Sequence, residues 1–143
     1  MTTPQQLCTF YLDDQLFGVD VQSVQEVIRY QEMTRVPLAA SAVSGLINLR
    51  GQIVTAVDLR RKLGLSDRPK DRLPMNVVVR DDEGAVSLLV DQIGDVIDVE
   101  PERIDSPPDT LSGPARELIR RAYKLDHQLL LMLDAKEAIE IPA

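Results

Sequence analysis

The chain has 143 residues, 44% of them hydrophobic, and a formal net charge of −7 at pH 7. That length buries on the order of two-thirds of the unfolded surface, enough for one ordinary domain or two small intertwined ones. An acidic pI near 4.7, with three tyrosines, two phenylalanines and no tryptophan, excludes the basic footprint and stacking platform of a nucleic-acid binder.

Taken in order, the chain opens with a polar start at residues 1–6 that has neither the basic region nor the apolar core of a signal peptide. No later run approaches the roughly 20 apolar residues that span a bilayer, so the expected location is the cytoplasm. Residues 7–12 and 16–19 read as strands around the polar turn Asp13-Asp14-Gln15. The lone Cys8 cannot form an internal disulfide and suits the core of the first strand better than a nucleophile's place. Asp20 is expected to cap a short helix in which Val21, Val24, Val27 and Ile28 recur at helical spacing.

After Val36-Pro37 comes the most distinctive stretch, residues 45–59, where two apolar runs flank Arg50-Gly51. Strand alternation puts Leu46, Asn48 and Arg50 on one face, an amide beside a guanidinium, and Gly51 can take the positive φ of a bulge or tight bend. A bulge whose arginine merely snorkels to water fits the same spacing. Asp58 should then cap a helical turn ending at Gly64, and polar residues 66–74 form the longest internal linker.

Strands follow at residues 75–80 and 86–91, joined by Asp81-Asp82-Glu83-Gly84, and at 93–99. Prolines Pro101, Pro107, Pro108 and Pro114 make 100–114 a loop. Residues 115–125 fit helix or strand, because Leu118, Ala122 and Leu125 suit one period and Ile119, Tyr123 and Leu125 the other. Residues 129–133 read as a buried strand. Many short strands with turn signals argue for barrels or a sandwich. A shift of 40 residues that aligns Leu49, Gln52, Ile53, Val57 and Asp58 with Leu89, Gln92, Ile93, Ile97 and Asp98 is compatible with duplication.

Charge is unevenly spread. Residues 29–80 hold ten Lys or Arg against four Asp or Glu, and residues 81–109 hold one against ten. If the segments lie on different faces, they present unlike surfaces to unlike partners and steer encounter more than they add affinity. Catalytic chemistry is poorly supplied. The single histidine, His127, sits between Asp126 and Gln128 in what reads as a turn, and the glycines form no phosphate-cradling loop. The acidic set Asp91, Asp95, Asp98, Glu100 and Glu102 lacks the glycine and alternating oxygen ligands of a calcium loop. No catalytic residue, metal or cofactor is expected.

The order and spacing of several short pieces resemble one family. They are Phe17-Gly18-Val19, Val24-Gln25-Glu26-Val27, Thr34-Arg35-Val36-Pro37, Gly45-Leu46-Ile47-Asn48-Leu49-Arg50-Gly51, Val57-Asp58-Leu59-Arg60, Leu89-Val90-Asp91 and the run ending Met132-Leu133-Asp134. Through nearly its whole length the chain resembles the CheW-type chemotaxis coupling proteins. The resemblance implies an all-β fold with short helices: two intertwined five-stranded barrels, SH3-like or OB-like, in one CheW-like domain over residues 1–143. The two barrels are expected to divide near 66–74, with strands exchanged between them.

It also implies an adaptor, not an enzyme. One surface would bind the regulatory domain of the histidine kinase CheA, and a groove between the barrels would bind the helical cytoplasmic tip of a methyl-accepting chemoreceptor, recruiting the protein to receptor arrays. The same barrels could serve another chemosensory-type kinase, one controlling surface motility or second-messenger synthesis. On the receptor side the resemblance assigns Asn48, Arg50 and Gly51 of the Asn-Leu-Arg-Gly motif; Val24 and Val27 are expected as part of the groove wall if the short helix lines it, and Glu26 as a partner of Arg50 or of the receptor. On the kinase side it assigns Met33, Arg35, Val36 and Gly45. One departure is the last hairpin, where Ala122-Tyr123-Lys124-Leu125-Asp126-His127 stands in place of the family's usual glycines.

Overall fold

A computed structural model describes residues 5–82, 84–106, 108 and 113–140. Residues 1–4 of the polar start, Glu83 of the expected turn and Pro107 of the expected loop lie outside the described residues. Among the described residues eleven strands make two sheets. The first half of the chain gives β1 (Gln5–Leu12), β2 (Gln15–Asp20), β3 (Val24–Ile28), β4 (Val43–Leu49), β5 (Gln52–Asp58) and the helical turn α1 (Leu59–Lys62). The second half gives β6 (Met75–Asp81), β7 (Gly84–Val90), β8 (Gln92–Val99), β9 (Ile104–Asp105), α2 (Pro114–Leu118), β10 (Ile119–Lys124), β11 (Leu129–Leu133) and α3 (Ala135–Ile139).

One sheet runs β3-β6-β7-β5-β4 and the other β8-β1-β2-β11-β10-β9. The first therefore has the expected five strands, and the second gains a sixth from the two-residue β9. The five-stranded sheet curls until its edges meet. In the five-stranded sheet the segment after β3 bridges to β4 through reciprocal Thr34 and Leu46 backbone hydrogen bonds of 2.8 Å. In the other, edge strands β8 and β9 are joined only by Glu100 and the 3-10 turn Pro101–Arg103.

The core explains why so many strands read as continuous apolar runs. Along β11, Leu131 and Leu133 join the large cluster shared by both sheets, while Leu130 and Met132 face the interior of their own barrel with Leu7, Leu16 and Tyr123. Strand β6 repeats the pattern, Val77 and Val79 shared, Val78 inside with Ile47, Leu49 and Val54. Both faces are buried, so period-2 alternation of polarity disappears. Phe10 and Phe17 stack at 6.1 Å between centroids at the middle of the shared cluster.

Strand exchange is explicit. The N-terminal hairpin β1-β2 belongs with the C-terminal strands, β2 running parallel to β11. The 66–74 linker, expected to divide the barrels, instead joins α1 to β6 within the five-stranded sheet; the crossings between sheets fall at the 3-10 turn Val21–Ser23 and at Asp91. The 40-residue shift likewise finds no structural repeat. Leu49 and Gln52 close a hairpin inside one sheet, whereas Leu89 to Gln92 crosses from one sheet to the other.

Three local expectations change. Asp20 caps the turn by accepting the Gln22 N–H at 2.9 Å, but the helix ends after Val21–Ser23 and Val24, Val27 and Ile28 lie on β3. Their β-branched side chains are stiff at χ1, and pairing with β6 satisfies the backbone that a short helix would leave open. Residues 115–125 are helix and then strand, α2 breaking into β10. α3 has no counterpart in the sequence reading; Asp134 caps its start, and the half-buried Lys62 ammonium donates to the carbonyls of Glu137 and Ala138 at its end, at 2.8 and 2.7 Å.

The oppositely charged segments do not simply face apart. Asp91, at the crossing between sheets, accepts from Arg60 Nε at 2.9 Å, from Arg68 Nε at 2.8 Å and from the Asp13 N–H at 2.7 Å. Arg60 also reaches Asp13 at 2.6 Å. The Arg60, Arg68 and Asp91 side chains are all at most 7% exposed. Burial alone would raise the Asp91 carboxyl, but Arg60, the Asp13 N–H and Arg68 together hold it down at about 2.

Candidate functional site

Two exposed regions meet on the five-stranded barrel. The first is the tip of the β4-β5 hairpin. Leu49 pairs with Gln52, leaving Arg50-Gly51 as a two-residue loop with φ of +51° and +89°, the pattern of a type I′ turn. Asn48 Oδ1 accepts the Gly51 N–H at 2.8 Å and pins the loop. The alternation argument thus fails at Arg50, which has left the strand. Gly51 supplies the tight bend, and the Asn48 oxygen is committed to the turn while its amide N–H groups remain for a partner.

From that tip the Arg50 guanidinium reaches across to Glu26 on β3, the opposite edge strand of the same sheet. Arg50 is 74% exposed and Glu26 18%. The hydrogen bond from Arg50, assisted by one from Gln25, holds the Glu26 carboxyl below its ordinary range. Arg50 is therefore not a buried structural ion: it pairs with Glu26, and most of its surface faces solvent. Val27, the next residue of β3 and on its other face, is 36% exposed. Val24 is not part of the display, being half-buried against the shared core.

The second region is the segment between β3 and β4. Met33 packs against the interior cluster of the barrel, Arg35 is exposed and Val36 half-buried. Gly45 lies under this segment, where a Cβ would sit 2.7 Å from the Thr34 carbonyl oxygen and 3.0 Å from Met33 Cβ. Only glycine allows so close an approach. Met33 and the buried Gly45 thus lie against each other beneath the segment, while Arg35 and Val36 follow on it towards solvent. An open groove of about 850 Å³, with Met33 and Glu32 on one side and Asn48 and Ile53 on the other, lies on the five-stranded barrel alone and not between the barrels, where the resemblance put the receptor groove. Ile53, 61% exposed, is a member of this surface that sequence reasoning missed. Its signal was the polar Thr55 two residues on, which marks the outer face of β5.

Other chemistry-bearing residues lie apart. His127 is exposed in the β10-β11 turn, where the Leu125 N–H donates to Gln128 O at 2.9 Å. Cys8 is buried, and burial raises its thiol pKa. Among the described residues no cluster of three or more His, Cys, Asp or Glu is arranged to hold a metal, and no helix is long and apolar enough to cross a membrane.

Two sheets sharing a core, with a surface arginine paired to Glu26 across one of them, define a double-barrel β module. The chain belongs to the CheW-like domain family, whose pattern matches residues 6–142. It is 29% identical over 133 residues to the chemotaxis protein CheW of Treponema pallidum, covering 90% of this chain and 78% of that one. To CheW of Klebsiella aerogenes it is 28% identical over 138 residues, 96% of this chain and 83% of the other. The crystal structure of the scaffolding protein TtCheW from Thermoanaerobacter tengcongensis superposes with a TM-score of 0.81 at 26% identity, covering 92% of this chain and 90% of that one.

Proposed function

We propose that the protein is a non-catalytic chemotaxis adaptor, coupling the helical cytoplasmic tips of methyl-accepting chemoreceptors to a CheA-type histidine kinase. The observation that carries this is the Arg50 display: a guanidinium held out of the core by a type I′ turn and oriented by Glu26, two residues beyond Asn48, which lines an open groove. A groove accepts a helix through apolar anchors, and a planar five-donor fork fixes its register against carboxylates or carbonyls. On the receptor side Val27 supplies an anchor, Arg50 and the Asn48 amide supply donors, Glu26 aims Arg50, Gly51 shapes the turn and Val24 supports the strand from the core. On the kinase side Met33, Arg35 and Val36 make an adaptable apolar surface over Gly45. Binding to both partners recruits the protein to the membrane-bound arrays.

Arg50→Ala and Arg50→Lys, with both dissociation constants and the melting temperature measured, test this. Alanine should weaken receptor binding about thirtyfold while leaving kinase binding unchanged and the Tm within about 2 °C. Lysine should restore part of the affinity, because it keeps the charge and loses the fork. Receptor affinity unchanged in alanine, or a fall in Tm together with both affinities, would refute the assignment.

A further inference from the structure

We infer that Leu38 is the apolar anchor of the kinase-facing surface, a knob that inserts into an apolar cleft on the kinase's regulatory domain. This rests on the assignment of Met33, Arg35, Val36 and Gly45 to that partner. Leu38 combines two features that rarely coincide. Its φ is +63°, in the left-handed region that leucine avoids, and its side chain is fully exposed. Pro37 and Leu38 form a turn, at positions where a type II turn usually places proline and then glycine or asparagine. A leucine there gains nothing for the isolated fold: it buries no surface and its Cβ crowds the following carbonyl. Backbone strain of this kind persists where the surroundings impose it and gathers at sites that bind.

The surroundings do impose it. On one side of the turn Thr34 and Leu46 exchange backbone hydrogen bonds. On the other the Val43 N–H donates to Ala40 O at 2.9 Å, Arg61 Nη1 to Ser41 O at 2.9 Å and the Asp58 N–H to Ala42 O at 2.8 Å. A loop pinned at both ends loses little further freedom on binding, so its exposed leucine is preorganised. The partner follows from continuity. Arg35, Val36 and Leu38 line one hollow of about 420 Å³, so a protein seated on Arg35 and Val36 also meets Leu38. Its cleft should be apolar, with a carboxylate at the rim facing Arg35.

Opposite effects on stability and binding distinguish an anchor from an ordinary loop residue. Leu38→Asn, made in the full chain, removes the side chain and suits the left-handed backbone. It should leave Tm unchanged or raise it by up to about 3 °C, weaken kinase binding about tenfold and leave receptor binding alone; Leu38→Met should bind the kinase nearly as well as leucine. Gly45→Ala is the control for the surface itself. Loss of kinase binding in Gly45→Ala with full binding in Leu38→Asn would overturn the anchor and leave the surface standing. Full binding in both would remove the surface and the anchor with it. A fall in self-association of Leu38→Asn by sedimentation, at unchanged kinase affinity, would also overturn the inference, since the occupant would be a second copy.

Discussion

Acid should destabilise this protein through Asp91 in a way that one substitution can isolate. The carboxylate is charged at neutral pH and held at about 2 by Arg60, the Asp13 N–H and Arg68, against an ordinary value near 3.8. A group whose folded pKa is depressed contributes stability above its unfolded pKa and loses it as pH falls through the folded one. The shift corresponds to about 2 kcal/mol, fully present at pH 7; about 1 kcal/mol of it is gone by pH 3 and most of the rest by pH 2. Other carboxylates titrate in the same window, so the informative quantity is the difference between wild type and Asp91→Asn. Asparagine removes the charge at every pH and leaves two buried guanidiniums short of a partner, a cost of about 3 kcal/mol at pH 7. Urea denaturation of both proteins at pH 7 and pH 3 should show that difference shrinking by about 1 kcal/mol. A difference that stays constant across the two pH values would refute the claim that the carboxylate is ionised and tied to both arginines in the folded state.

Gly45→Ala must push the Thr34 carbonyl away from a Cβ built 2.7 Å from it, costing about 1 to 3 kcal/mol; chemical denaturation should show this, together with loss of kinase binding and little change in receptor binding. Cys8→Ala should cost about 1 kcal/mol through lost packing, and His127→Ala nothing measurable in stability. Both variants should support normal kinase output in a reconstituted assay once folded, and loss of output with stability and binding intact would point to chemistry at one of these side chains.

The barrel architecture was legible where turns are local. Asp13-Asp14, and Asp81 to Gly84, each join two apolar runs, and the strands fall on either side as expected. The Gly45 to Gly51 stretch was legible as special because a small residue and a cation interrupt apolar runs there. What stayed hidden depends on pairings far apart in sequence. Val21, Val24, Val27 and Ile28 fit a helical period, and only β6, some 50 residues on, makes three of them a strand. Arg60 and Asp91 lie 31 residues apart, so nothing local marks them as partners. Arg50 was misplaced for a different reason: the alternation rule assumes extended backbone, and a two-residue turn breaks it. Leu38 carries no sequence signal for a positive φ beyond the proline before it.

Coupling is the central claim, and reconstitution measures it most directly. A CheA-type kinase and a chemoreceptor from the same source should be assembled in membranes with and without the purified chain, and kinase autophosphorylation followed. Kinase activity should respond to receptor and attractant only when the chain is present, with Arg50→Ala abolishing that response while still binding the kinase. An attractant-sensitive kinase without the chain, or a chain that binds neither component, would contradict the account.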